Sequence, residues 1–278
     1  MKVKIDYHVH TSYTWDAKGS VKDYCKIAEN KGIEEIVFTN HFIPFLLNIP
    51  KGSITKDGIE KNFKEIEEAK KEYNLKIKIG LEIDYNIAYE KIIENILNEY
   101  QFDFILGSIH FIDGIDIIGN QASIFFKDKS IQEAYERYFL ELKKLSESGL
   151  IDVLAHPDYI RRSAIKYYGR DYIFEDNKNI IEELLDSMIK NDVGLEVNTS
   201  GYRHGLNDSF PKLEFLKFCF KKGLRKITIG SDAHSPEYLA FYLDKGIEKI
   251  KNVGYNEICI FNKREPSWVS IEKIISDF

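Results

Sequence analysis

Short β-branched runs alternate with longer stretches of helical period along the whole chain. The strand-like segments are VKIDYH at 3–8, EIVFT at 35–39, KIKIGLE at 76–82, FDFILGSI at 102–109, IDVLA at 151–155, VGLEVN at 193–198, KITIGS at 226–231 and EICIF at 257–261. Between them, VKDYCKIAENKG, IEKNFKEIEEAKKEY, IQEAYERYFLELKKLSESG and PKLEFLKFCFKKG repeat apolar residues at three- and four-residue spacing. Gly32 suits a left-handed cap, and Pro211 and Gly223 mark the start and end of the last of these helices. Strand and helix in alternation predict an α/β fold with a parallel sheet and crossover helices. Three connections are unusually long: Phe42 to Asp57, Phe111 to Lys129 and Pro157 to Asn177. Long connections in a compact fold are usually functional or mobile. FIPFLLNIP and IRRSAIKYYGRDY, rich in aromatic and aliphatic residues, are expected either to wall or cover a pocket or to pack on each other as satellite core.

Composition narrows the class. The 278 residues are 44% apolar and 30% charged, a globular balance that one domain spanning 1–278 accommodates. The net charge of −6 comes from interspersed Lys and Glu without a basic stripe, so nucleic acid is not the expected partner. No apolar run approaches the roughly 18 residues of a membrane span, and the amino terminus lacks a signal-peptide pattern. A cytoplasmic location away from the membrane is expected. Cys25, Cys219 and Cys259 lie far apart in apolar periodic segments and read as reduced core residues. Oligomeric state is left open, with a homodimer as one expectation.

The histidines carry the chemistry. Six of the seven, with Glu82 and Asp232, fall at or just past the C-terminal end of a strand: His8, His10, His41, Glu82, His110, His156, Asp232 and His234. Taken singly, a histidine at a strand end is more often solvated or satisfied than a ligand. DYHVHT adds a period of two, which aims His8 and His10 at one face, where Asp6 joins them. It reads alone as either a metal site or polar punctuation. The joint pattern favours metal, because in a parallel barrel all these strand ends open on one face. Imidazoles mixed with carboxylates suit Zn²⁺, Mn²⁺ or Fe²⁺ better than Mg²⁺ or Ca²⁺.

In order, DYHVHT, FTNHF, GLEIDY, GSIHFIDG, LAHPD, EVNTSG and GSDAH resemble the successive motifs of the PHP phosphoesterases, the polymerase and histidinol phosphatase family. GSIHFIDG, AHPDYIRR and LEVNTSGYR resemble its histidinol-phosphate phosphatases in particular. The resemblance covers nearly the full length. It implies a distorted (β/α)7 TIM-like barrel with three divalent transition-metal ions at the C-terminal ends of the strands. It implies His8, His10, Glu82 and Asp232 for the first ion, and Glu82, His110 and His156 for the second. Asp16, His41 and His234 would hold the third. One departure is Asn40, where the family usually has Asp; this touches the surroundings of the ligands rather than the ligands themselves. Asp6 is expected behind the ligands, orienting an imidazole.

The implied activity is hydrolysis of L-histidinol phosphate, in histidine biosynthesis, by a metal-bound hydroxide, with no serine or cysteine nucleophile. Ser200 and Thr199 read as structural. Arginine matches phosphate geometry, and Arg161 and Arg203 are the expected phosphate contacts, the alternative being ion pairs with loop acids such as Asp171 or Glu175. Arg162 is the weaker candidate. His204 reads as either a general acid or an exposed loop residue, and Asp158 as either an acid or a substrate-amine contact. The competing functions are a PHP phosphoesterase for another small phosphate ester or nucleotide, an amidohydrolase, and a non-catalytic metal-binding or regulatory protein. Glu82 in place of a bridging lysine disfavours the amidohydrolase, and the full ligand set disfavours loss of catalysis.

Overall fold

Seven parallel strands stand side by side in the order in which they occur in the chain: Ile5–Val9, Glu35–Phe42, Lys76–Asp84, Phe104–Ser108, Val153–Leu154, Gly194–Asn198 and Ile227–Gly230. The computed structural model from which this is read describes residues 1–46 and 53–276. The seventh strand returns to the first through a parallel bridge between Val9 and Ala233, where the His10 amide donates to the Ala233 carbonyl at 2.9 Å. The sheet is thus a nearly closed α/β barrel. Most barrel-strand residues are buried, because helices cover the outside and the side chains of the other strands fill the inside.

The helical periods become the outer helices, and their ends obey local chemistry. Ser20 and Asp23 form a reciprocal capping box at the start of helix Val21–Lys31, and Gly32 ends it in the left-handed region at φ 75°. Helix Leu213–Lys222 ends on Gly223 as expected, but it starts two residues past Pro211, which lies in the preceding loop. No helix among the described residues is long and apolar enough to cross a membrane.

The eighth expected strand is not in the barrel. Glu257–Asn262 pairs antiparallel with Glu265–Ser270, and this hairpin plugs the N-terminal end of the barrel. Phe261 packs on Phe104 with ring centroids 4.8 Å apart. Arg264 donates to the Leu150 carbonyl at 3.0 Å and to Asp152 at 2.9 Å, just ahead of the fifth strand. Seven strands already close the ring, so an eighth apolar run finds its burial across the open mouth instead.

The long connections contain local structure. Phe111–Ile112 and Ile115–Asp116 form a small hairpin followed by helix Ala122–Phe126, and Arg161–Tyr168 is helical. Of FIPFLLNIP, residues 47–50 lie outside the described residues; Ile43 reaches the cavity below.

Candidate metal centre

All nine expected ligands gather at the C-terminal mouth of the barrel. Extended backbone through HVH carries His8 and His10 to one point, their Nε2 atoms 2.9 Å apart. Glu82, from the third strand, has Oε2 at 3.4 Å from His8 Nε2 and 3.5 Å from His10 Nε2. Asp232, just past the seventh strand, stands 3.4 Å from His10 Nε2 and 3.7 Å from His8 Nε2. On the other oxygen of Glu82, His156 Nε2 lies at 2.8 Å and His110 Nε2 at 3.8 Å. His41 Nδ1 is 2.8 Å from Glu82 Oε2, while its Nε2 looks outward to Asp16 at 3.5 Å and His234 Nε2 at 3.4 Å. Asp16 and His234 are 3.2 Å apart.

These donors fit cations better than one another. Glu82 Oε2 and His41 Nδ1 are buried and close, yet neither makes a hydrogen bond. Two imidazole nitrogens at 2.9 Å likewise resolve only with one proton between them or a shared cation. Burial opposes charge at His8, but Glu196, Glu82 and Asp232 outweigh it and drive the imidazole well above its usual range. His10 is driven well below by burial and by the imidazoles of His234 and His41. Neighbouring imidazoles pushed in opposite directions by burial and by charged neighbours mark a candidate functional site. His156 at φ 26° and Asp232 at φ 54° hold left-handed backbone without being glycine, a cost of about 1–3 kcal/mol each that clusters at functional sites.

The residues behind the ligands were largely unexpected. Glu196 Oε1 meets His8 Nδ1 at 2.7 Å, and Oε2 accepts from the His156 amide at 2.9 Å. Asp84 holds His110 Nδ1 at 2.9 Å. Each carboxylate fixes the tautomer that leaves Nε2 free to ligate. A signal for both was present: each is an acid two positions from another polar residue, Glu82 or Asn198, toward the C-terminal end of a strand. Gly230 is required beside them, since a Cβ there would lie 2.4 Å from the His8 Cβ and 2.5 Å from Glu196 Oε1. Asp6 is corrected in role. It touches no imidazole; it accepts from Ser231 N at 2.9 Å and Ala240 N at 2.9 Å, and so pins the turn that bears Asp232. Asn40 Oδ1 accepts from Thr11 N at 2.8 Å and Thr11 Oγ1 at 3.0 Å, so the departure from Asp loses a charge but keeps an acceptor.

A cavity of about 560 Å³ opens over the cluster, lined among others by Trp15, Phe111, Tyr159, Arg162, Arg203 and His204. Arg203 and His204 therefore line the cavity, whereas Arg161 and Asp158 do not reach it. Arg161 is buried and held by Asp171, with Nη2 to Oδ2 at 2.8 Å, which is the ion-pair alternative. Asp158 accepts from Lys212 N at 2.9 Å beneath the loops. The next residue along the helix, Arg162, faces the cavity and donates to Tyr159 Oη at 2.8 Å. Arg203 lies over the Tyr238 ring and donates to the Asp232 carbonyl at 2.7 Å. Burial, then Arg162, pushes the His204 imidazole down to about 3. It is neutral at pH 7 and has no imidazolium proton to give, against its reading as an acid. The hairpin of Phe111 and Asp116, rather than the two apolar loops alone, makes one wall.

A nearly closed parallel barrel with imidazoles and carboxylates gathered at its C-terminal mouth defines a class of metal-site barrel proteins. A family model described as PHP domain matches residues 6–200, and the chain belongs to that family. The histidinol-phosphatase of Lactococcus lactis subsp. lactis is 28% identical over 267 residues, 93% of this chain and 94% of the relative. A probable histidinol-phosphatase of Clostridium acetobutylicum is 30% identical over 265 residues, 93% and 97% of the two chains. Among solved structures, histidinol phosphate phosphatase from Lactococcus lactis subsp. lactis, complexed with zinc, L-histidinol and phosphate, is similar with a TM-score of 0.83 at 24% identity. It covers 96% of this chain and 100% of its own. A putative histidinol phosphatase from Listeria monocytogenes follows at 0.78 and 21%, over 87% and 99%. Both show the same fold.

Proposed function

We propose that this enzyme, a histidinol-phosphatase by family and relatives, hydrolyses L-histidinol phosphate to L-histidinol and phosphate at a site of three divalent transition-metal ions. The observation that carries the reading is Glu82. Its Oε2 is buried without a hydrogen bond, and imidazole nitrogens from the first and second strands converge on it. His8, His10, Glu82 and Asp232 would hold one ion, Glu82, His110 and His156 a second, and Asp16, His41 and His234 a third. Bound there, such ions acidify a water and neutralise phosphoryl oxygens.

The chain's own groups supply the rest. Glu196 and Asp84 hold His8 and His110 in the tautomers that leave Nε2 unprotonated. Arg203, stacked on Tyr238, and Arg162, oriented by Tyr159, bring fork-shaped donors to the cavity for phosphate oxygens. Arg162 takes the part first expected of Arg161. Neutral His204, between these arginines, orients the ester by hydrogen bonding rather than by giving up an imidazolium proton. The test is phosphate release from a panel of phosphate esters and nucleotides that includes L-histidinol phosphate, before and after chelation. Turnover of L-histidinol phosphate that vanishes on chelation and returns with zinc or manganese is expected. Activity in metal-free protein would refute the metal site; activity confined to other esters or nucleotides would refute the substrate.

A further inference from the structure

Two carboxylates line the cavity without belonging to the cluster, Asp116 and Glu237. Glu237 is exposed on the rim and accepts from Ser235 Oγ at 3.2 Å. Asp116 is different, being half-buried and fixed. It closes the hairpin that follows His110: Phe111 pairs with Asp116, and the next amide, Ile117 N, donates to the His110 carbonyl at 3.0 Å. Paired strands run about 5 Å apart, so Asp116 stands roughly one strand spacing from the backbone that carries a cluster residue.

Its two oxygens have different surroundings. Oδ1 accepts from Ile118 N at 2.9 Å and Gly119 N at 2.7 Å, which locks the side chain. Oδ2 has no donor among the described residues. It is packed so closely on Gly119 that a Cβ there would lie 2.2 Å from it. A preorganised carboxylate in a cavity meant for phosphate is unfavourable unless the organic part of the ester brings a positive charge. Such a group repels esters with uncharged or acidic organic parts and attracts an ammonium placed a few bonds from the ester oxygen. Phe111, beside it in the hairpin, packs edge-on against Phe45 and gives this wall an aromatic flank.

We propose that Asp116 Oδ2 binds the primary ammonium of an aminoalkyl phosphate and so selects the organic class of the substrate; this rests on reading the cavity as the phosphatase site. Asp116→Asn is the cleanest perturbation, since Oδ1 still serves the Ile118 and Gly119 amides while the charge is removed. The kcat/KM of the wild type and the variant is measured for L-histidinol phosphate and for the same imidazolyl ester lacking the amine. A loss of about ten- to a hundredfold on the aminated ester, carried by KM, is expected, the scale of a hydrogen bond between charged groups. The rate on the des-amino ester should not fall. Gly119→Ala, which crowds Oδ2 but leaves the charge, should give the same selective loss. Equal losses on both esters, no loss on either, or a wild type that handles the two esters equally would overturn the role of Asp116 alone. A wild type inactive on both esters would overturn the phosphatase reading itself and this proposal with it.

Discussion

Glu196→Gln keeps the shape of the side chain but breaks its pattern of acceptors. Glu196 Oε1 faces His8 Nδ1 at 2.7 Å, and Oε2 takes hydrogen bonds from His156 N at 2.9 Å and Asn198 Nδ2 at 3.0 Å. All four groups are buried. A glutamine has one accepting end and one donating end. If its oxygen stays on the two donors, its amide NH2 meets His8 Nδ1 and forces the ring proton onto Nε2. That nitrogen lies 2.9 Å from His10 Nε2 and 3.4 Å from Glu82, where a metal needs its lone pair. If the amide turns the other way, its NH2 faces two buried donors instead. Either outcome costs about 1–3 kcal/mol, or about ten- to a hundredfold in metal affinity. The assay is a zinc titration of wild type and variant against a competing chelator, with circular dichroism as the check on folding. Equal zinc affinity in a folded Glu196→Gln protein would refute the claim that this carboxylate sets the His8 tautomer.

The adjacent arginines should separate cleanly. Arg162→Gln is expected to raise KM for the phosphate ester with little change in melting temperature. Arg161→Gln, which strips the partner from Asp171, should lower stability by about 1–3 kcal/mol in a denaturant titration, and a reversed pattern would exchange their roles. His204, ordinarily near 6.5, sits at about 3 in the folded protein, so the unfolded chain binds its proton first as pH falls. Its contribution to stability is thus full above 6.5 and is lost toward 3. Wild type should weaken relative to His204→Gln across that window. The His204 ring should also show no protonation by NMR above about pH 5, and a midpoint near neutrality would restore it as an acid.

Much of the site was legible because strand geometry is regular. A period of two sets His8 beside His10, and parallel strands that close a ring bring Glu82, His110, His156 and Asp232 to one mouth whatever their separation in sequence. The tautomer-setting acids were less legible. Glu196 sits inside a run read as ordinary strand and Asp84 two residues past the end of another, and their purpose depends on which imidazole lies across the barrel. Asp6, beside His8 in sequence, serves the turn before Asp232 instead, over two hundred positions away. Arg161 and Arg162 show a second limit. Neighbours on a helix point about 100° apart, so choosing the one that faces the cavity requires the helix's rotation.

By itself, then, the sequence determined the alternation of strands and helices, the helix caps at Ser20 and Gly32, and the donor atoms available at each strand end, since these follow from local periodicity and side-chain chemistry. Tertiary structure decided the rest. Closure at seven strands made the eighth apolar run a plug, because the ring offered it no free edge to pair with. Packing across the barrel chose which carboxylate orients which imidazole. The hairpin after His110 turned Asp116 into a wall of the cavity by pairing it with Phe111, a contact that exists only once the chain has folded back on itself.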